Sequence, residues 1–407
     1  MLPTGARADR RPSPARRVLR WETLRGCLSR PTLIAAEGSG LFLLVAIQHF
    51  HASGTAKALL SASTFLGMLV APLIVTVVAS RHIPVPRALC ALMAVSGLAL
   101  LIAAVSPTLP GFVLGVLLGV PLLQGLLPLV TAVWQAHVPS RRRGRLFGLA
   151  HSLAALAGIG SGLAIAAYLG LDAGRYRPVV AVLGAAVMVG GAAALRLPAT
   201  RLLHSERNPL RLLTLLVRDP VFGYLSAAWM LLGFGNLSTI PLRMEYVASA
   251  ESGLAYSAQH VLYLLVVIPQ AMALVGSVVW GRLFDRFDFL VLRIALNAVF
   301  MSSIVLFFTP SLPLQVAGSL LYGMGMGGGA VQWNLWVTRY APRGRTADYM
   351  AVHTFLTGVR GLVAPFLAYA LLARLSLFVA VWFGVALLGA ATVMVALLLS
   401  HERGREP

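Results

Sequence analysis

Twelve apolar runs follow one another along this chain, near 32–52, 56–79, 87–106, 110–138, 146–169, 178–196, 220–241, 257–280, 289–309, 313–338, 347–373 and 376–399. About 20 apolar residues at 1.5 Å rise each match the ~30 Å hydrocarbon core of a bilayer. In lipid every backbone amide must be satisfied within its own segment, so each run is read as a helix. With 58% hydrophobic and only 11% charged residues, the 407-residue chain lacks the polar surface of a soluble fold. The expectation is an all-α, multi-pass integral membrane protein with twelve transmembrane helices.

The formal net charge is +20, and Lys57 is the only lysine. Twelve crossings put both termini on one side, and 27 of the 33 lysines and arginines fall on that side. They include the head from Arg7 to Arg30, the cluster Arg141, Arg142, Arg143 and Arg145, and Arg282, Arg286 and Arg293. Short cytoplasmic loops are rich in such residues, so both termini are expected in the cytoplasm and the protein in the cytoplasmic (inner) membrane. The positive charge therefore follows orientation and anionic lipid, which argues against a nucleic-acid partner. The head MLPTGARADRRPSPARRVLR has no apolar h-region or cleavage site and is not read as a cleaved signal peptide. Cys27 and Cys90 imply neither a disulfide framework nor a metal site, and no cofactor is expected.

The longest polar connection, RLPATRLLHSERNPLRLLTLLVRDP, falls mid-chain with six runs on either side. VTAVWQAHVPSRRRGRLFGLAHSLAAL in the first half resembles NLWVTRYAPRGRTADYMAVHTFL in the second. Trp134 and Trp336 are 202 residues apart, as are His151 and His353. Such internal repeats suit a duplicated membrane bundle. The expected organisation is a basic segment 1–31, a six-helix bundle 32–196, a linker 197–219, a second bundle 220–399 and a tail 400–407.

Between the second and third helices of the second half lies GRLFDRFDFLVLR, residues 281–293, dense in charge within an oily chain. Gly281, Leu283, Asp285 and Arg286 follow the loop signature G-x-L-x-D-R-x-G, and here the chain resembles the Major Facilitator family of secondary transporters. Asp288 stands where that family has glycine, and the first-half copy, ASRHIPVPR, keeps Arg81 but has Ser80 near the place of the acid. The resemblance implies that Asp285 faces the cluster containing Arg143 and Arg145, forming a gate with Gly281 and Arg286 that closes the cytoplasmic ends in one state. The competing reading is a set of solvated loop charges that fix topology.

The resemblance also implies a central cavity lined by helices one, four, seven and ten. Polar residues recur on one face of each: Glu37, Gln48 and His51; Gln124 and Gln135; Trp229, Asn236 and Arg243; Gln332, Trp336 and Arg339. Such stripes should face protein or water rather than lipid, and for any single member the plain alternative is an interhelical hydrogen bond. Arg360, mid-helix with His353 and Thr357 on its face, would cost about 2.5–3.5 kcal/mol alone in lipid. It either binds an anionic solute or pairs with an intramembrane acid. Glu37 is a candidate proton site because burial disfavours its charged form, or else an interfacial acid near the arginine head. Gly323, Gly325, Gly327, Gly328 and Gly329 in helix ten, and Gly158, Gly160 and Gly162 in helix five, interrupt their helices and allow close approach. GIGSG lacks the proline of the glycine-proline motif carried by some drug–proton antiporters of the family.

The leading functional expectation is a monomeric secondary active transporter moving a small organic solute by alternating access, proton-coupled and in the direction of efflux. The other classes are an intramembrane enzyme and a non-transporting sensor or scaffold. EGSG and IGSG have the wrong first residue for a rhomboid-type serine site, and neither HExxH nor GxxxxGK[ST] occurs. The expectation is that the chain is no enzyme.

Overall fold

Proline and polar caps set where helices start in the computed structural model, which describes residues 13–37, 40–170, 172–202, 213–250, 254–342 and 346–403. The first half comprises α1 (Pro14–Ala35), α2 (Leu41–Gln48), α3 (Gly54–Ser80), α4 (Val85–Val105), α5 (Leu109–Gln124), α6 (Leu127–His137), α7 (Ser140–Leu169) and α8 (Tyr176–Ala194). After the short α9 (Leu215–Arg218), the second half comprises α10 (Pro220–Ala248), α11 (Ala258–Leu262), a π turn (Tyr263–Val267) and α12 (Ile268–Arg286). It continues with α13 (Phe289–Phe307), α14 (Leu312–Leu335), α15 (Val337–Tyr340), α16 (Thr346–Arg374) and α17 (Leu377–Arg403). Proline sits in the first turn of α1, α4, α5, α6, α10 and α14, where its missing N–H is no loss. Ser53, Asp219, Ser257 and Asp288 cap α3, α10, α11 and α13 by accepting backbone N–H groups.

Ten helical stretches among the described residues are long and apolar enough to cross a membrane. Two further rods, α1–α2 and α14–α15, complete six in each half. The pairings repeat between the halves. In the first, α1 packs on α7 and α8, α4 on α5 and α8, and α3 on α5. In the second, α10 packs on α16 and α17, α13 on α14 and α17, and α12 on α14. Advancing each first-half pair by six rods gives its second-half counterpart, so the architecture is two six-helix bundles of one topology. They meet where α3 packs on α16 and where α7 packs on α11 and the π turn.

Three features depart from expectation. The first helix begins at Pro14, well before residue 32. Arg17 Nη2 donates to the Arg196 carbonyl (3.0 Å) and Thr32 Oγ1 to the Leu183 carbonyl (3.5 Å), so the stretch 17–32 runs alongside α8. Glu22, Arg25 and Arg30 therefore lie at the depth of a span, and Glu37 falls at the α1–α2 break rather than near the cytoplasmic end of the first rod. The second feature is the charged stretch 281–293, which is mostly helical. α12 continues to Arg286, and Asp288 caps α13 through Leu290 N (2.7 Å) and Val291 N (3.2 Å). That cap is the physical reason an acid stands where the family signature has glycine. Third, the glycine clusters do not interrupt α7 or α14, which run unbroken; Gly327 instead lies against the backbone of α12.

Candidate functional site

The halves are clamped at the end remote from the termini. Lys57 Nζ on α3 contacts both carboxylate oxygens of Glu245 on α10, at 2.8 and 3.0 Å, with side chains 13% and 4% exposed. Gln48 Nε2 donates to the carbonyls of Ala248 (3.2 Å) and Tyr256 (2.9 Å), and Gln259 N to that of Gly170 (2.9 Å). Outside this clamp lies a cavity of ≈ 450 Å³ lined by Gln48, His51, Lys57, Asp172, Tyr256 and Ser257, among others. Its loops include His51 and Ala255 at φ of 47° and 43°, a left-handed conformation that only a firmly packed loop sustains in residues other than glycine.

Toward the termini the halves part. On α3, Phe65 and Leu69 lie against Gly361 and Gly358 of α16. One turn further along the same faces, Leu73 is 65% exposed and Phe355 40%. In the wall of the first bundle lies a cavity of ≈ 260 Å³, built from α1, α5, α6 and α7. Its polar lining is Glu22, Arg25, Ser29, Arg30, Gln124 and His151, with Trp134 and Phe147 beside them. Arg25 grips Glu22 with two hydrogen bonds, Nε to Oε2 at 2.8 Å and Nη2 to Oε1. Phe147 lies parallel to the His151 ring, 13° between planes at 6.1 Å, and meets Trp134 edge-on at 5.4 Å. Pro121 and the Gly125–Leu126 turn break the rod between α5 and α6, so this wall is not a continuous helix.

Deeper, Glu37 sits where α1 ends and connects the bundles. Its Oε2 accepts from Gln270 Nε2 on α12 at 2.9 Å, and its Oε1 lies 3.9 Å from Arg30 Nη2. The carboxylate thus stands at a helix break and contacts groups of both halves.

The second bundle has a different interior. Arg360, 5% exposed, donates from Nη1 to the Trp229 carbonyl and from Nη2 to Thr357 Oγ1 (3.2 Å). Its stem passes through the space left by Gly233, where a Cβ would come within 2.1 Å of Arg360 Cδ. Arg293 lies 4.1 Å over the Trp229 ring and donates to Gln332 Oε1 (3.2 Å), while Gln332 Nε2 donates to the Leu292 carbonyl (3.1 Å). His353 is enclosed by Trp229, Trp333 and Trp336, at 5.0, 5.4 and 5.2 Å. Arg243 donates to Ser303 Oγ (2.7 Å) and stacks on Tyr322 (4.3 Å). Among the described residues none of Arg243, Arg293 and Arg360 has a carboxylate partner. The expected pairing of Arg360 with an acid is therefore replaced by carbonyl, hydroxyl and ring contacts.

The expected residues fall into separate places. Gln124 joins the first-bundle cavity, Gln48 the clamp, and Glu37 the junction. Trp229, Asn236, Gln332, Trp336, His353 and Arg360 gather inside the second bundle, with Trp336 wholly buried. Gln135 is exposed on the last turns of α6. Gly281 has open space where a Cβ would be, and Arg286 is exposed. The side chains of Asp285, Arg143 and Arg145 lie outside the described residues. Arg293, read from sequence within the charged loop, and Arg243, read on the polar stripe of helix seven, are buried in helices, 3% and 1% exposed. Sequence reasoning missed Glu22, Arg25 and Arg30, which it placed in a basic head, and the Lys57–Glu245 pair. The repeat held a signal for part of the cavity: Trp134 and His151 line it, and their counterparts Trp336 and His353 lie together in the second bundle.

Among curated proteins none matches this chain in sequence. Solved structures do match in fold. A mutant of the nucleoside transporter NupG aligns with a TM-score of 0.74 at 14% identity, covering 94% of this chain and 100% of its own. A bacterial homolog of the human lysosomal transporter Spinster, in an inward-facing and unoccupied conformation, gives 0.64 at 14% identity over 97% and 96%. The xylose transporter XylE from E. coli, in an inward open conformation, gives 0.64 at 16% identity over 93% and 95%. Residues 32–365 match the family model of the Major Facilitator Superfamily. This multi-pass integral membrane protein belongs to the Major Facilitator Superfamily.

Proposed function

We propose that this protein is a secondary active transporter that carries a small organic solute across the cytoplasmic membrane by alternating access, coupled to protons through Glu37. The observation that carries the reading is the asymmetry of the interface. The bundles are joined by the Lys57–Glu245 and Gln48 contacts at one end, while at the other Leu73 and Phe355, one turn beyond the α3–α16 contacts, are exposed and the ≈ 260 Å³ cavity lies in the first bundle. The clustering of arginine near the termini supports a cytoplasmic position for this end. Rocking of the bundles about the Glu37–Gln270 contact would close this end and open the other. In the closed state Asp285 would meet the α7 cluster containing Arg143 and Arg145, with Gly281 and Arg286 on the same rim. The Trp229–Arg293–Arg360 cluster gives the second bundle a rigid polar core against which this movement is referred.

A thermal-shift screen of solutes on the purified protein, followed by flux in vesicles carrying a proton gradient, tests the reading. The expected result is flux that collapses when the gradient is dissipated, in the direction of efflux. Binding without flux in either direction would sink the transporter reading in favour of a sensor on the same fold.

A further inference from the structure

We propose that the transported solute is a compact organic anion with a flat ring, its acidic group held by Arg30 and its ring by the Phe147–His151 stack. This deepens the transporter reading and rests on it.

Charge is the first support. The helical interior holds three carboxylates among the described residues: Glu22 is gripped by Arg25 and Glu245 by Lys57, while Glu37 accepts from Gln270 and lies 3.9 Å from Arg30 without a hydrogen bond to it. Arg243, Arg293 and Arg360 remain, so the interior carries an excess of positive charge. Inside a low-dielectric body such an excess raises the local concentration of anions and repels cations. A cationic solute would meet that field with no free carboxylate to bind.

Geometry selects the residue. Arg25 is neutralised by its two bonds to Glu22 and offers little to a ligand. Arg30 is held loosely, because Glu37 also accepts from Gln270. Arg30 Nε and the buried Trp134 Nε1 have no hydrogen-bond partner among the described residues. Both are donors in the lining of one cavity, so the complementary ligand presents acceptors there. A guanidinium holds a carboxylate or phosphate through paired, charge-assisted hydrogen bonds. Beside it, Phe147 is 39% exposed and parallel to His151, which leaves a flat apolar surface for a ring. A cavity of ≈ 260 Å³ suits one or two fused rings with a short acidic arm.

Three probes that share a ring and differ in charge test the assignment: indole-3-acetate, indole-3-acetamide and tryptamine, titrated calorimetrically into the purified full chain. Indole-3-acetate should bind about tenfold or more tighter than the amide, and tryptamine weakest. Arg30→Gln should bring acid and amide to within about threefold, Arg30→Lys should keep the order, and Phe147→Ala should weaken acid and amide alike. Should Arg30→Gln fail to fold, the order of the three probes on the wild type decides alone. Equal binding of all three, preference for tryptamine, or no binding by any of them overturns the anion assignment, even where another solute is transported. Anion-selective binding with no gradient-driven flux of indole-3-acetate overturns the transporter reading and leaves the anion site standing.

Discussion

The Lys57–Glu245 clamp makes a quantitative demand on the conformational equilibrium. Both side chains are largely withdrawn from water, and the contact joins helices of opposite halves. Glu245→Gln keeps the shape and removes the charge, which costs a charge-assisted bond roughly 1.5–3 kcal/mol. Since about 1.4 kcal/mol is a factor of ten, the ratio of the two states should move about ten- to a hundredfold toward the one open at this end. Ser61 reports it: the residue is 2% exposed and lies on the α3 face between Lys57 and Phe65. A cysteine placed there, with Cys27 and Cys90 replaced by alanine, should be alkylated faster by that factor in Glu245→Gln and in Lys57→Met. Exchanging the two charges should restore slow labelling. Labelling at the wild-type rate in both single variants, or no rescue by the exchange, refutes the idea that this pair holds the end shut.

Gly327→Ala should lower the thermal midpoint in detergent, because its Cβ would lie 2.5 Å from Ala273 O and Ser277 N, and backbone cannot yield; a loss of about 1–3 kcal/mol is expected. Gly160→Ala, at a position with open space around it, is the control, and equal midpoints would contradict the packing argument. Glu37→Gln should retain solute exchange without a gradient while losing gradient-driven accumulation; coupled accumulation at the wild-type level would remove Glu37 from the coupling step. Arg360→Ala should insert normally yet abolish transport, because Trp229 and Thr357 lose the group that holds them; unchanged transport would make the residue a packing element only.

Most of the scaffold was legible because lipid leaves a chain few options. Apolar runs located eleven of the rods closely, and six rods lie on either side of the mid-chain polar stretch. The first rod was misread because Arg25, Glu22 and Arg30 lower the hydropathy of 17–31, and they do so while lining a polar cavity inside the bundle. Hydropathy marks what touches lipid, and these side chains do not. The same error placed Arg293 in a loop, although its neighbours Phe289, Leu296 and Phe300 at helical spacing mark a buried face. Arg243 already lay on the stripe with Trp229 and Asn236, which pointed inward. The clamp could not be read at all. Lys57 and Glu245 are 188 residues apart, and only the packing of α3 beside α10 and α16 brings them together. Polar stripes were a mixed guide, since Arg243, Gln332 and Trp336 are buried while His51, Gln135 and Arg339 are exposed, and the second-bundle set is spent on its own interior.

Two distances decide whether the halves rock as rigid bodies. Spin labels at Leu73 and Phe355 report on the end toward the termini, and labels at Ser53 and Ala250 flank the clamped end. Measured by electron–electron resonance in wild type and in Glu245→Gln, the first pair should shorten as the second lengthens. If neither pair moves, or both move in the same sense, alternating access about the Glu37–Gln270 junction is wrong for this protein.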